Sequence, residues 1–357
     1  MGKYMHLFET QAEFESAYTG DNYNEPWVSY TIENEETRYN KSEREKLLET
    51  PLTFKIISGG TINWVASVDT YTKTIEYKKN DGEWTEITSN TGSSAPTISV
   101  ASGDIVQFRG DNATYHHSSG YHNCFSGATC GFILEGNIMS LINSTGFSTA
   151  TTLESDFTFV AMFLNCTGLT NASRLILPAI TLTQQCYNVM FQGCTSLTTA
   201  PELPAVTMRT SCYSAMFMGC TSLVAAPELP AATLAYYCYA YMFEGCTGLT
   251  TAPSILPATT LASNCYFHMF YNCANLTSAP ELPAATLLDS SYNRMFYGCT
   301  NLNYIKCLAT DISAGDSTFY WVNGVASSGI FEKAASMTGW TTGVNGIPNN
   351  WTVQDAS

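Results

Sequence analysis

Charged side chains are scarce in this 357-residue chain, at 13% of positions, about half the usual share. Basic residues are scarcer still, with 15 Lys and Arg against 30 Asp and Glu, for a net charge of −15. Nucleic acid needs Lys and Arg to displace phosphate counterions, and anionic membranes need the same, so both partner classes are disfavoured. No run of about 18 apolar residues is present, so no membrane-inserting helix is expected. The first residues, Met-Gly-Lys-Tyr-Met-His-Leu-Phe-Glu-Thr, lack the apolar stretch and small-residue cleavage site of a signal peptide, and export by the general secretory route is not expected. Gly-rich phosphate loops, Gly-x-Ser-x-Gly and His-Glu-x-x-His are also missing, so no enzyme class, catalytic residue or cofactor is expected.

What is present is a repeated phrase: Cys-Tyr-x-x-Met-Phe-x-Gly-Cys-Thr-Ser-Leu-Thr-Thr-Ala-Pro-Glu-Leu-Pro-Ala-x-Thr-Leu. Its Met-Phe pairs begin at Met162, Met190, Met216, Met242, Met269 and Met295, a period of 26 to 28 residues. Such a period predicts a solenoid whose units bury their apolar faces against one another. In the unit from Cys186 to Cys212, Cys186 and Met190 are four apart, as are Tyr187 and Phe191, which predicts a helical turn closed by Gly193. Leu197 to Ala200 alternates as a short strand, and Pro201 and Pro204 bound the corner. The fold class expected is therefore mixed β and α/β: a small β-sandwich followed by a leucine-rich-repeat solenoid of short strand plus helical turn.

Thirteen cysteines raise the question of disulfides. Cys194, Cys220, Cys246 and Cys273 each have a Cys eight residues upstream, yet Cys166 and Cys299 persist where that position is Thr158 or Ser291. Obligatory bridges would be lost in pairs, so the pattern predicts ladders of buried free thiols packing as compact hydrophobes. A reduced state suits folding in cytoplasm.

Taken in order, residues 1–50 are expected to form an acidic docking arm or, alternatively, an N-terminal cap packed on the next domain, with a short helix over Gln11 to Tyr18, a strand from Trp27 to Ile32 and a capping box at Ser42-Glu43-Arg44-Glu45. Residues 51–110 carry six β-branched or aromatic runs between turn signals, the basis for the small sandwich, with Asn80-Asp81-Gly82 as a hairpin turn. Residues 111–156 are a loop and the solenoid's N-terminal cap, 157–307 the repeats, and 308–357 a C-terminal cap sealed by Trp321, Trp340 and Trp351. The loop holds His117, His122, Cys124 and Cys130, whose ligand types suit zinc, although their spacing is not that of a standard knuckle.

Differences between units separate core from surface. Tyr, Met, Phe, Cys and Leu are fixed; the free columns hold Tyr236, Tyr237, Tyr241, Phe267, His268, Tyr271, Arg294 and Tyr297. These are the candidate ligand-binding residues, an aromatic strip for sugar rings or a protein patch. Glu202, Glu228 and Glu281 recur with the repeat and read as structural rather than catalytic.

The Phe-x-Gly-Cys-x-x-Leu core resembles the BspA type of leucine-rich repeat, and the longer Ala-Pro-Glu-Leu-Pro-Ala form (Ala200 to Ala205, Ala226 to Ala231, Ala279 to Ala284) resembles repeats of Bacteroides and of the crAss-like phages that infect them. The unit at Cys246 departs locally, with Pro253-Ser254-Ile255-Leu256. The resemblance implies a non-enzymatic phage virion protein, a tail or head fibre or receptor-binding protein that is assembled in bacterial cytoplasm. Its implied partners are other virion proteins, through the N-terminal arm, and a host cell-surface glycan or protein. A BspA-like adhesin on the bacterial surface and a purely structural capsid or tail decoration protein are the alternatives, and a homo-oligomer is left open.

Overall fold

Alternating β-branched and aromatic residues after Pro51 form strands, while the repeats form turns. The computed structural model describes residues 28–32, 35–39, 41–117, 120 and 122–356, and the helix expected over Gln11 to Tyr18 lies outside them. A hairpin of β1 (Val28–Ile32) and β2 (Glu35–Tyr39) precedes helix α1 (Lys41–Glu49). The helix is already under way at Lys41, so the capping box read at Ser42 does not frame its start. Its C-terminal end is held instead: the Thr50 hydroxyl donates to the Lys46 carbonyl at 2.6 Å, and the Asn137 amide donates to the Leu48 carbonyl at 3.2 Å.

Then come β3 (Leu52–Ser58), β4 (Gly60–Asn63), β5 (Val65–Ala66), β6 (Thr74–Lys79), β7 (Thr85–Thr88), β8 (Thr97–Val100), β9 (Ile105–Arg109), β10 (Asn123–Cys124), β11 (Gly131–Asn137) and β12 (Leu169–Ile176). The largest sheet has six strands in the order β12-β11-β3-β9-β6-β7, and β4 pairs with β8 separately. The sheet is thus not a sandwich confined to residues 51–110, because β11 carries it antiparallel from β3 and parallel onto β12, inside the first repeat. Phe54, Trp64, Phe108, Phe125 and Phe132 fill its core, with Phe54 stacked on Phe132 at 4.6 Å. Buried Glu135 on β11 ties the seam together, accepting from Lys55 at 2.8 Å and Arg174 at 3.2 Å.

The expected leucine-rich-repeat solenoid is overturned. Among the described residues the chain is mostly short strands in several small sheets, and its single α-helix, α1, lies outside the repeats. Where a helical turn was expected, each unit is a run of overlapping i→i−3 turns. In the unit at Cys186, the N–H groups of Asn188, Met190, Gln192 and Cys194 donate to the carbonyls of Gln185, Tyr187, Val189 and Phe191. Other N–H groups leave the unit: Gln185, Val189, Phe191 and Gly193 donate to Thr210, Ser214, Met216 and Met218 of the next, at 2.8–2.9 Å, and Tyr187 donates to Thr158 of the preceding one at 3.0 Å. No helix can make this division, because it requires residues of positive φ, such as Gln185 (+55°), Val189 (+49°) and Gly193 (+73°), placed among residues of negative φ. Gly193 therefore does not terminate a helix. Its column reads Asn165, Gly193, Gly219, Gly245, Asn272, Gly298 and Gly324, all left-handed, and Gly and Asn are the residues that tolerate that conformation best.

Side chains follow the same register. Phe125, Phe163, Phe191, Phe217, Phe243, Phe270 and Phe296 form a buried column with centroids 5.3–5.9 Å apart. Beside it run Phe159, Tyr187, Tyr213, Tyr239, Tyr266 and Tyr292, ending on Trp321. All thirteen cysteines are buried and free. One column has a specific bond: the thiols of Cys194, Cys220, Cys246 and Cys273 each donate to the Phe carbonyl of the preceding unit at 3.1 Å. Each of these carbonyls also accepts the Cys N–H of its own unit at 3.0–3.2 Å, so alanine would lose the thiol bond without orphaning the carbonyl.

The hydroxyls of Tyr187 and Tyr213 are buried without a hydrogen-bond partner among the described residues. Desolvation also holds both phenols well above their ordinary pKa. An orphaned polar group costs stability, so Tyr213→Phe should raise the unfolding free energy by about 1 kcal/mol, read as a higher melting temperature. A lower one would show that the hydroxyl has a partner in solution.

The pattern continues past Cys307. Unit-to-unit bonds run from Tyr292, Arg294, Phe296 and Gly298 onto Ser317, Phe319, Trp321 and Asn323. Strands β13 (Tyr304–Cys307), β14 (Ile330–Lys333) and β15 (Thr352–Asp355) close the chain as a parallel sheet. Trp321 is fully buried and stacks on Trp340 at 5.5 Å.

Candidate functional site

Two columns of left-handed residues without any glycine run through the units. One comprises Phe157, Gln185, Ser211, Tyr237, Asn264, Ser290 and Asp316; the other comprises Ala161, Val189, Ala215, Tyr241, His268, Arg294 and Tyr320. Each such residue costs about 1–2 kcal/mol relative to a right-handed one. The cost is offset by the neighbour bonds that the conformation permits, since Tyr241 donates to the Phe267 carbonyl at 2.7 Å and Arg294 to the Phe319 carbonyl at 2.9 Å. Of the eight candidate ligand-binding residues identified above, Tyr237, Tyr241, His268 and Arg294 fall on these columns, and Tyr236, Phe267, Tyr271 and Tyr297 flank them. Backbone geometry fixes where they sit and leaves their chemistry open.

The structure brings those candidates together. Tyr236 meets Tyr237 edge-on at 4.6 Å, Tyr237 lies 6.1 Å from Phe267, and Tyr241 contacts Phe267 and His268 at 5.2 and 5.3 Å. From there the rings stack: Phe267 on His268 at 4.2 Å, His268 on Tyr271 at 4.7 Å, and Tyr271 on Tyr297 at 4.8 Å, with planes within 9°. Most ring faces in this pile cover one another, so it offers a partner mainly edges. The open aromatic surfaces are at its margins, where Tyr236 is 50% and Tyr320 38% exposed.

Polar groups are threaded through the strip. His268 Nδ1 lies 3.3 Å from the Glu244 carboxylate, while its Nε2 is buried without a partner among the described residues. Tyr237 and Tyr241 are pushed above the ordinary phenol range by burial first, then by neighbouring tyrosines and by the charges of Asp289 and Glu244 respectively. The Arg294 guanidinium lies 5.0 Å over Phe319 and 5.9 Å from Tyr320. Sequence comparison missed Phe319 and Tyr320. Their unit has Trp321 in the Met column and no cysteine, although Gly324 keeps the left-handed glycine that marks each repeat.

The residues named as zinc candidates have another place. Among the described residues no group of three or more His, Cys, Asp or Glu is arranged to hold a metal. Cys124 and Cys130 are buried, and desolvation raises both thiols above their ordinary pKa. Phe125, between them, is the first course of the Phe column: its N–H donates to Met162 at 2.9 Å and its carbonyl accepts the Cys166 thiol at 3.1 Å. Phe125-Ser126-Gly127 is the Phe-x-Gly signature of the repeats, and Gly127 has φ +74° as Gly193 has +73°. His122 stacks loosely on His116 at 6.4 Å, and burial, with His122 and His117 beside it, lowers His116 to about 4.

Two of the three recurring glutamates make ion pairs. Glu202 accepts from Arg44 of α1 and Glu281 from Lys306, both at 2.9 Å, while burial raises the carboxyl of Glu228, which lies 3.4 Å from the Ser254 N–H. No family model, no curated protein and no solved structure matches this chain.

Proposed function

We propose that this is a non-enzymatic component of a bacteriophage particle, of the fibre or receptor-binding type, that adheres through the aromatic strip to the host surface or to a neighbouring virion protein. The observation that carries the reading is the strip itself: residues free to vary between units are aromatic on successive units, from Tyr236 to Tyr297, with Tyr237, Tyr241 and His268 at left-handed positions, and they touch one another. Clustered aromatics with a polar rim are the usual anchors of binding surfaces. The sequence resemblance to repeats of Bacteroides and its phages supports the choice of host, and the acidic segment 1–50 is the proposed attachment to the particle.

Retention of the purified chain on Bacteroides cells tests the proposal. Wild-type protein should be retained, and the triple variant Tyr236→Ala, Tyr241→Ala, Phe267→Ala should bind at least about tenfold more weakly, since an anchor residue contributes about 1–2 kcal/mol. Retention of both alike, or of neither, defeats it.

A further inference from the structure

We infer that Arg294 is the centre of a carboxylate-recognition site, and that its ligand is an acidic polysaccharide bearing uronic acids. The inference rests on the adhesion reading above and names the class of ligand for one end of the strip. Arg294 makes no side-chain hydrogen bond or ion pair among the described residues, in a chain with twice as many acids as bases. Lys55, Lys79, Arg109, Arg174, Lys306 and Lys333 are each paired with a carboxylate, whereas Lys46, Lys73, Lys78 and Arg209, like Arg294, have no ion pair among the described residues; of these five only Arg294 is on the aromatic strip. Its guanidinium carbon lies 5.0 Å over Phe319 and 5.9 Å from Tyr320, and with no acceptor among the described residues its N–H groups are left for a ligand; arginine takes a carboxylate through two parallel bonds.

A sugar ring has a place beside it. Tyr297 lies on the same turn, its N–H donating to the Arg294 carbonyl at 3.2 Å. Tyr297 stacks on Tyr271 by one face, and no other described ring lies against its second face. A pyranose resting its C–H face on Tyr297 is the proposed bearer of the carboxylate that Arg294, three residues earlier on that turn, would take. Asp289 and Asp316, on the same and the following unit, are exposed and unpaired with Arg294. They and the net charge of −15 oppose anions at long range, but at physiological salt that field is screened within about 8 Å, so a local fork governs the contact. An extended acidic peptide would supply carboxylates without a ring to cover Tyr297, which favours the glycan.

Affinity electrophoresis of the full chain through gels holding polygalacturonate, fully methyl-esterified pectin or polyglutamate tests this. Polygalacturonate should retard the protein, the methyl ester and polyglutamate should not, and added salt should weaken the retardation. Arg294→Ala should weaken it by about tenfold or more, with Arg294→Lys intermediate because it keeps the charge but loses the fork. Equal retardation by the ester, equal retardation of wild type and Arg294→Ala, polyglutamate as effective as polygalacturonate, or no retardation by any polymer would each overturn the inference. The comparison of free acid with ester uses wild-type protein only and does not depend on a variant folding. Cell retention lost in the aromatic triple variant but unchanged in Arg294→Ala would overturn the uronate site while leaving the adhesion reading intact.

Discussion

Gly136→Ala should yield protein that is unfolded, or destabilised by about 4 kcal/mol or more, a loss reserved for a few mechanisms such as backbone strain and steric overlap. Gly136 lies near the end of β11 with φ +82°, and a Cβ there would sit 2.3 Å from the Pro51 carbonyl oxygen and 2.8 Å from that of Thr50. Both obstacles are backbone. Neither can rotate away, because the next residue, Asn137, uses its N–H on Thr50 at 2.8 Å and its amide on Leu48 and Phe147. Gly219→Ala is the comparison. Its φ is similar at +73°, yet the nearest atom to a new Cβ is 3.9 Å away, so only the left-handed penalty of about 1–2 kcal/mol is due. Urea titration of the two variants separates the effects. Equal midpoints would mean that the approach of Pro51 to Gly136 is not rigid.

Thiol chemistry should show an equally large difference between native and unfolded chain. With all thirteen cysteines buried, Ellman's reagent is expected to modify none in the native protein and all after denaturation. Cys194, Cys246, Cys265, Cys299 and Cys307 are each raised to about 12 by burial. A thiol whose folded pKa lies above its unfolded value binds its proton more tightly when folded. Its contribution is therefore complete below the unfolded pKa, near 8.5–9, and is lost as pH rises from there toward 12. Each such thiol can remove about 1.4 kcal/mol per pH unit across that window, and several act together. Melting temperatures should be flat from pH 6 to 8 and fall steeply above pH 9. Rapid native labelling or a flat alkaline profile would contradict the buried ladders.

The strands were legible because alternation is local. The six runs expected between Leu52 and Phe108 coincide with β3, β4, β6, β7, β8 and β9 to within two residues at either end. Where the sheet goes next was not legible, since the parallel pairing of β11 with β12 spans a loop and carries no signal in either strand alone. The period of the repeat was visible, but its backbone was misread for a physical reason. Burial of Cys186-Tyr187, Met190-Phe191 and Cys194 in pairs four apart is what a helix produces, and overlapping i→i−3 turns produce it too. The clue against a helix lay in the column occupied only by Gly and Asn, which signals a conformation that helices lack. The strip was half legible: variation between units identified its residues, but which rings stack and which stay open depends on the sign of φ along the backbone.

The bonds between units all share one sense in the columns of Val189, Phe191 and Gly193, with N–H pointing toward the C-terminal neighbour and C=O receiving from the N-terminal one. The array consequently has a head and a tail. Its last unit offers N–H groups, and the chain covers several itself: Tyr320 N–H is taken by the Asn345 side chain and Val322 N–H by the Val344 carbonyl, while the Trp321 indole donates to Gly346. Two copies brought together end to end across a twofold axis would oppose donor to donor. Only translation along the array, head onto tail, pairs the groups, and that contact does not close on itself. The loop at Val344 to Gly346 therefore occupies, within the chain, donors that a following unit would otherwise take.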